Sequence, residues 1–130
     1  MSSDERLKGC RVLIVEDEYF LAADLEKALE EHGAIVLGPI AYLAEALPQA
    51  EHDGFDVAIL DINLHDEPSY PIADELMRQG IPFFFCTGYD AKIIPERFAH
   101  VTLLQKPFVM LGLVEHIAKR LALIFPSSCC

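Results

Sequence analysis

Basic side chains are scarce in this chain. Ten Lys and Arg stand against twenty-one Asp and Glu, a formal charge of −11 over 130 residues. A duplex-binding protein needs clustered cations to neutralise phosphates, and no such cluster occurs, so nucleic acid is excluded as an expected partner. Long apolar runs are missing as well: none approaches the roughly 18 residues of a membrane-spanning helix. Residues 1–6 lack the basic-then-apolar pattern of a secretion signal, and the expectation is a soluble, cytoplasmic chain with no membrane association. Cysteine is sparse, and the spacing of Cys10, Cys86, Cys129 and Cys130 matches neither a zinc site nor a redox CxxC pair. Cys86 reads as a small core residue, and the tail pair as exposed thiols. The five histidines are scattered with no i,i+4 pair, which argues against a histidine metal site. His65 is set apart from the rest because it follows Asp61 by four positions.

What is present is apolar and ordered. A 52% hydrophobic fraction excludes a disordered chain, and the length suits one domain over 1–130, with a core about 11–123. Apolar and amphipathic stretches alternate about five times, the pattern of βα units on a parallel sheet. Strands are expected near 11–15, 34–37, 56–60, 82–86 and 101–105. The first helix, about 18–31, puts Leu21, Leu25, Ala28 and Leu29 on one face and stops at Gly33. A second, near 42–52, buries Leu43, Ala46, Leu47 and Ala50, and Pro48 within it predicts a kinked or short helix. A third, near 70–79, carries Ile72, Ala73, Leu76 and Met77 and closes at Gly80; the last, about 108–124, presents Met110, Leu113, Val114, Ile117 and Leu121. Between the fourth and fifth strands, Pro95 limits 90–100 to a short or irregular fourth helix.

Four strand-like runs end in chemically demanding residues: Glu16-Asp17, Asp61, Thr87 and Lys106. In a parallel sheet the carboxyl ends of the strands converge on one edge, where α/β proteins bind ligands. That edge gathers three carboxylates, a hydroxyl and an ammonium. The negative excess calls for a divalent cation, and with Mg²⁺ bound the pocket can accept a phosphoryl group.

In this order and on these elements, the residues resemble the receiver domain of bacterial response regulators, from about Arg11 to Leu123. The resemblance implies a flavodoxin-like (βα)₅ fold, a doubly wound five-stranded parallel sheet. A narrower likeness rests on Pro82-Phe83-Phe84-Phe85-Cys86-Thr87-Gly88-Tyr89, which is similar to the Pro-Phe-x-Phe-Ala-Thr-Gly-Tyr signature of FAT GUY receivers. Asp61-Ile62-Asn63-Leu64 and Ser69-Tyr70-Pro71 agree with it, and Cys86 departs from it in place of Ala. The likeness implies Asp61 as phosphoryl acceptor, working with Mg²⁺ (or Mn²⁺). Asp17, Asp61 and the Asn63 carbonyl would bind the cation, with Glu16 acting through water. Lys106 and Thr87 would contact the phosphoryl oxygens, and a cis bond before Pro107 would fix the lysine. It further implies a sensor histidine kinase as donor, of HWE or related type, and an unidentified downstream protein.

One position departs from ordinary receivers, which carry Tyr or Phe three residues before the final-strand lysine. Leu103 stands there, so an aromatic switch cannot operate; FAT GUY receivers lack it too. The expectation is that activation is reported by the Thr87-Gly88-Tyr89 turn, to which Gly88 gives backbone freedom, and by the irregular 90–100 segment. With no effector domain expected after the last helix, the chain would act through protein contacts or as a phosphate sink, catalysing only its own phosphorylation and dephosphorylation. Two other readings compete. A haloacid dehalogenase type of enzyme wants an Asp at position 63, where Asn63 is a poor proton donor. A non-phosphorylated receiver-like interaction module commonly loses Asp61, Lys106 or an acidic-pair member, and none is lost here.

Overall fold

Five parallel strands form the central sheet of the computed structural model, which describes residues 6–52, 54–88 and 94–124. The elements run β1 (Arg11–Val15), α1 (Tyr19–Glu31), β2 (Ile35–Ile40), α2 (Leu43–Glu51), β3 (Val57–Asp61), β4 (Asn63–Leu64), β5 (Glu67–Pro68), α3 (Tyr70–Gln79), β6 (Phe83–Thr87), a 3₁₀ turn (Glu96–Phe98), β7 (Leu103–Gln105) and α4 (Met110–Ile124). The main sheet has the order β2-β1-β3-β6-β7, while β4 and β5 pair separately as a small antiparallel ribbon. The order reverses at β1, so the crevice at the switch point opens beside the ends of β1 and β3. The parallel sheet expected from the alternating pattern, and the flavodoxin-like winding implied by the resemblance, are those observed.

Strand alternation divides the core in two. Val12, Ile14, Val57, Ile59, Phe84 and Cys86 point towards α1 and α4, packing on Leu25, Leu29, Val114, Ile117 and Leu121. Leu13, Val15, Ala58, Leu60, Phe83 and Phe85 point the other way, onto Ala46, Ala50, Ile72, Ala73, Leu76 and Phe98. Both faces of each inner strand are thereby dry, which is why the strands read as unbroken apolar runs. Met77, expected in the α3 stripe, is exposed, because the stripe narrows to Ile72, Ala73 and Leu76. Ala22 joins the buried face of α1.

Three elements are instructive in extent, the first being β7, which begins at Leu103 where a strand from 101 was expected. β2 continues to Ile40, past a cis Gly38–Pro39 bond, where an edge strand tolerates the missing N–H. α2 spans nine residues despite Pro48, which lies on its exposed side with Ala44. Of the irregular 90–100 stretch, the 3₁₀ turn at Glu96–Phe98 is described; Tyr89 and residues 90–93 lie outside the described residues, as do Cys129 and Cys130. Among the described residues no helix is long and apolar enough to cross a membrane.

Candidate functional site

The parallel register delivers the site. Asp61 ends β3 opposite Cys86, Thr87 ends β6 opposite Gln105, and the Lys106 N–H donates to the Thr87 carbonyl at 2.8 Å. Glu16 follows β1, and its N–H donates to the Ile40 carbonyl at 2.9 Å, so the extended β2 fixes where the acidic pair begins. An open cleft lined by Asp17, Glu18, Asp61, Asn63, Thr87, Gly88 and Lys106 lies along this edge.

The Lys106 ammonium sits among carboxylates: 2.8 Å from Glu16 Oε2, 3.2 Å from Asp61 Oδ2 and 3.4 Å from Glu18 Oε1. Glu16, Asp61 and Thr87 are buried, and Asp17 is half-buried. Burial first, and then the neighbouring Glu16 charge, raise the Asp61 carboxyl to about 7 against the opposing pull of Lys106 and the Asn63 amide. Burial alone would lower the Lys106 ammonium, but its bond to Glu16 and the charge of Asp61 more than reverse this and hold it above its ordinary value. The Asn63 N–H donates to Asp61 Oδ1 at 3.2 Å, and the His65 N–H to Asp17 Oδ2 at 2.8 Å.

Three carboxylates can each present one oxygen to a common point: those of Glu16, Asp17 and Asp61 lie within 4.8 Å of one another. Glu16 Oε1 is buried and finds no hydrogen-bond partner. An unpaired buried oxygen beside a carboxyl that resists ionisation is the condition a hard divalent cation or its waters would relieve. The donor set is all oxygen, which suits Mg²⁺ or Mn²⁺.

The sequence-selected Glu16, Asp17, Asp61, Asn63, Thr87, Gly88 and Lys106 meet at this edge. The Lys106–Pro107 peptide is cis, and Pro107 is exposed beside the cleft residue that precedes it. Leu103 stands apart on the sheet edge, 38% exposed. At Gly88 φ is not in the left-handed region, and a Cβ there would meet only Lys106 Cδ, at 3.8 Å. It therefore supplies open space beside the lysine in place of backbone freedom. Sequence reasoning passed over Glu18, although it continues the acidic run into the first helix. It also left open what His65 does: the backbone amide bonds Asp17 while the ring turns to Tyr42.

The model of the response regulator receiver domain matches residues 12–118. The transcriptional regulatory protein PdtaR of Mycobacterium tuberculosis is 30% identical over 111 residues, covering 82% of this chain and 54% of that protein. The chain thus spans about half the length of this curated relative. The solution structure of SdrG from Sphingomonas melonis Fr1 is 40% identical, covers 91% of this chain and 97% of its own, and superposes with a TM-score of 0.75. A further SdrG structure, in a BeF3-activated conformation, is 38% identical over 88% of this chain and 98% of that one, with a TM-score of 0.70. A CheY-like receiver from Methanospirillum hungatei JF-1, 24% identical over 92% of this chain and 98% of its own, shares the fold with a TM-score of 0.80. A domain-length match to the family and a relative of the same size, together with the carboxylates gathered around Lys106 where the sheet order reverses, lead to one conclusion: this chain belongs to the response regulator receiver domain family.

Proposed function

We propose that the chain is a phosphoryl-accepting receiver in which Asp61 takes the phosphoryl group of a histidine kinase. An Asp61 carboxylate oxygen attacks the phosphohistidine phosphorus. The new O–P bond forms as the N–P bond breaks, the electron pair leaving on the imidazole nitrogen, and an acyl phosphate results. The carrying observation is the Lys106 ammonium held between the buried Glu16 and Asp61 carboxylates at 2.8 and 3.2 Å. Phosphoryl transfer needs alignment and charge neutralisation more than covalent help. Lys106 offsets one equatorial oxygen, the Thr87 hydroxyl donates to another, and the Asn63 amide steadies the acceptor carboxylate. Asp17, Asp61 and the Asn63 carbonyl would hold Mg²⁺ or Mn²⁺, with Glu16 acting through water; such an ion supplies the remaining positive charge.

The finer reading is a stand-alone FAT GUY receiver served by an HWE-type or related sensor kinase in the cytoplasm. The 82–89 signature, Leu103 in place of the aromatic, and the 40% identity to SdrG support it. Its output is a protein contact or the draining of phosphoryl groups from a shared kinase. Incubation with a small phosphodonor and Mg²⁺ tests the core of the proposal by intact mass. A single phosphoryl adduct is expected in the wild type and none in Asp61→Asn; an equal adduct in both would overturn it.

A further inference from the structure

The hairpin after Asp61 holds an arrangement that phosphoryl transfer does not itself require. Its turn residues, His65 and Asp66, both adopt positive φ, 47° and 68°. Left-handed backbone is disfavoured for side chains with a Cβ, and for histidine it needs support from its surroundings. Three contacts provide it. Leu64 is fully buried, the His65 N–H donates to Asp17 Oδ2 at 2.8 Å, and the His65 ring stacks on Tyr42 with centroids 4.3 Å apart and planes 13° apart. Tyr42 is itself fixed as the residue entering α2, its carbonyl accepting the Ala46 N–H at 2.9 Å. Three segments distant in sequence, 17, 42 and 65, are thus joined in one line.

We propose that Tyr42 and His65 are positioning residues for Asp17: the ring stack holds the His65 amide against one carboxylate oxygen and so orients Asp17 for a divalent cation. The inference rests on the cation-binding reading above. Asp17 sits in the connection between β1 and α1, where no ladder or helix restrains it. An unrestrained carboxylate presents its oxygen to a cation only part of the time. An amide bond to one oxygen removes that freedom and leaves the other oxygen for the ion, as outer partners of metal ligands commonly do. The stack uses the faces of the rings, so the Tyr42 hydroxyl is dispensable and Phe should replace Tyr.

The test pairs Mg²⁺ titration calorimetry with amide exchange at His65 in metal-free protein, for wild type, Tyr42→Phe, Tyr42→Leu and Tyr42→Ala. Tyr42→Ala and Tyr42→Leu should weaken Mg²⁺ binding roughly three- to tenfold and speed His65 exchange by a similar factor, the range of one lost ring stack. Tyr42→Phe should keep both. Tyr42→Leu retains apolar bulk, so it reports on the stack even if the alanine variant folds poorly. Unchanged His65 exchange, unchanged Mg²⁺ affinity, or a loss in Tyr42→Phe as large as in Tyr42→Ala overturns the inference. A wild type that binds no Mg²⁺ overturns the functional reading instead, and the exchange arm still decides whether the stack holds the amide.

Discussion

Asp61 is a buried carboxyl held against its ordinary ionisation, and the effect has a measurable sign. Asp61 is raised to about 7 from an ordinary 3.8, first by burial and then by Glu16. The folded chain therefore holds the Asp61 proton more tightly than the unfolded chain does. No penalty exists below the unfolded value; stability is lost as pH climbs towards the folded value, and the full cost is present above about 7. In metal-free protein, Asp61→Asn should raise stability at pH 8 by on the order of 2 kcal/mol, a Tm gain of roughly 5 °C or more. The gain should vanish near pH 4. Thermal melts across that range in chelator decide it, and a gain independent of pH would refute the assignment. Lys106→Ala carries the opposite sign. It removes the cation that Glu16 and Asp61 share and should cost about 1–3 kcal/mol at pH 8, measured by denaturant titration, with a smaller loss at pH 5 where protonation can substitute. Glu16, Asp17, Asp61 and Lys106 were legible in the sequence because each ends an apolar run, a position that ties residue type to place. The His65 amide was not, since a hydrogen bond from a backbone N–H leaves no mark on residue type, and histidine does not announce a left-handed backbone.

At the scale of elements, the instructive cases are β2 and α2, each carrying a proline. Gly38 sits at φ +99°, and a Cβ there would lie 2.6 Å from the Ile14 carbonyl oxygen. The chain can pass Pro39 and pair again at Ile40 because this position has no side chain. Gly38→Ala should cost on the order of 2 kcal/mol in a denaturant titration. It should also weaken divalent-cation binding, because the Ile40 carbonyl that accepts the Glu16 N–H is displaced with it. A variant that loses stability while binding the cation normally would separate β2 from the site. The sequence-based strand ended at residue 37, before the Gly-Pro pair; what overrides that stop is the tertiary requirement to pair with β1 as far as Val15. For α2, Pro48 removes a helical donor yet the helix persists across nine residues, held by the buried Ala46 and Ala50. Pro48→Ala should restore the lost bond and stabilise the chain by about 1–2 kcal/mol, less than the full helix-interior cost of proline, which also restricts the unfolded chain. Calorimetric melting gives the sign directly.

For the molecule as a whole, alternation of strand and helix indicated βα units on a parallel sheet, while their winding order came from the resemblance to receivers. What could not be read was the packing that links the site to the far side of the sheet. Phe85 and Thr87 point to the same face of β6, and Phe85 packs edge-on against Phe98 with centroids 5.4 Å apart. Phe98 also stacks on Tyr70 at 5.5 Å, and Arg97 covers its ring while bonding Asp74 on α3. Periodicity could not anticipate this plug, because a 3₁₀ turn of three residues has too little length to show a period. With Leu103 unable to act as an aromatic switch, a movement of the Thr87 hydroxyl has a packed route through Phe85 to Phe98 and the 94–101 segment. Amide exchange with and without beryllofluoride and Mg²⁺ should therefore change most in 94–101 among the described residues outside the cleft. Arg97→Ala, which loosens the outer hold on Phe98 without touching the cleft, should raise exchange there in the absence of the mimic and narrow the difference the mimic makes. If 94–101 stays unchanged while β7 and the start of α4 respond, the route through Phe98 is wrong and the edge strand carries the signal despite Leu103.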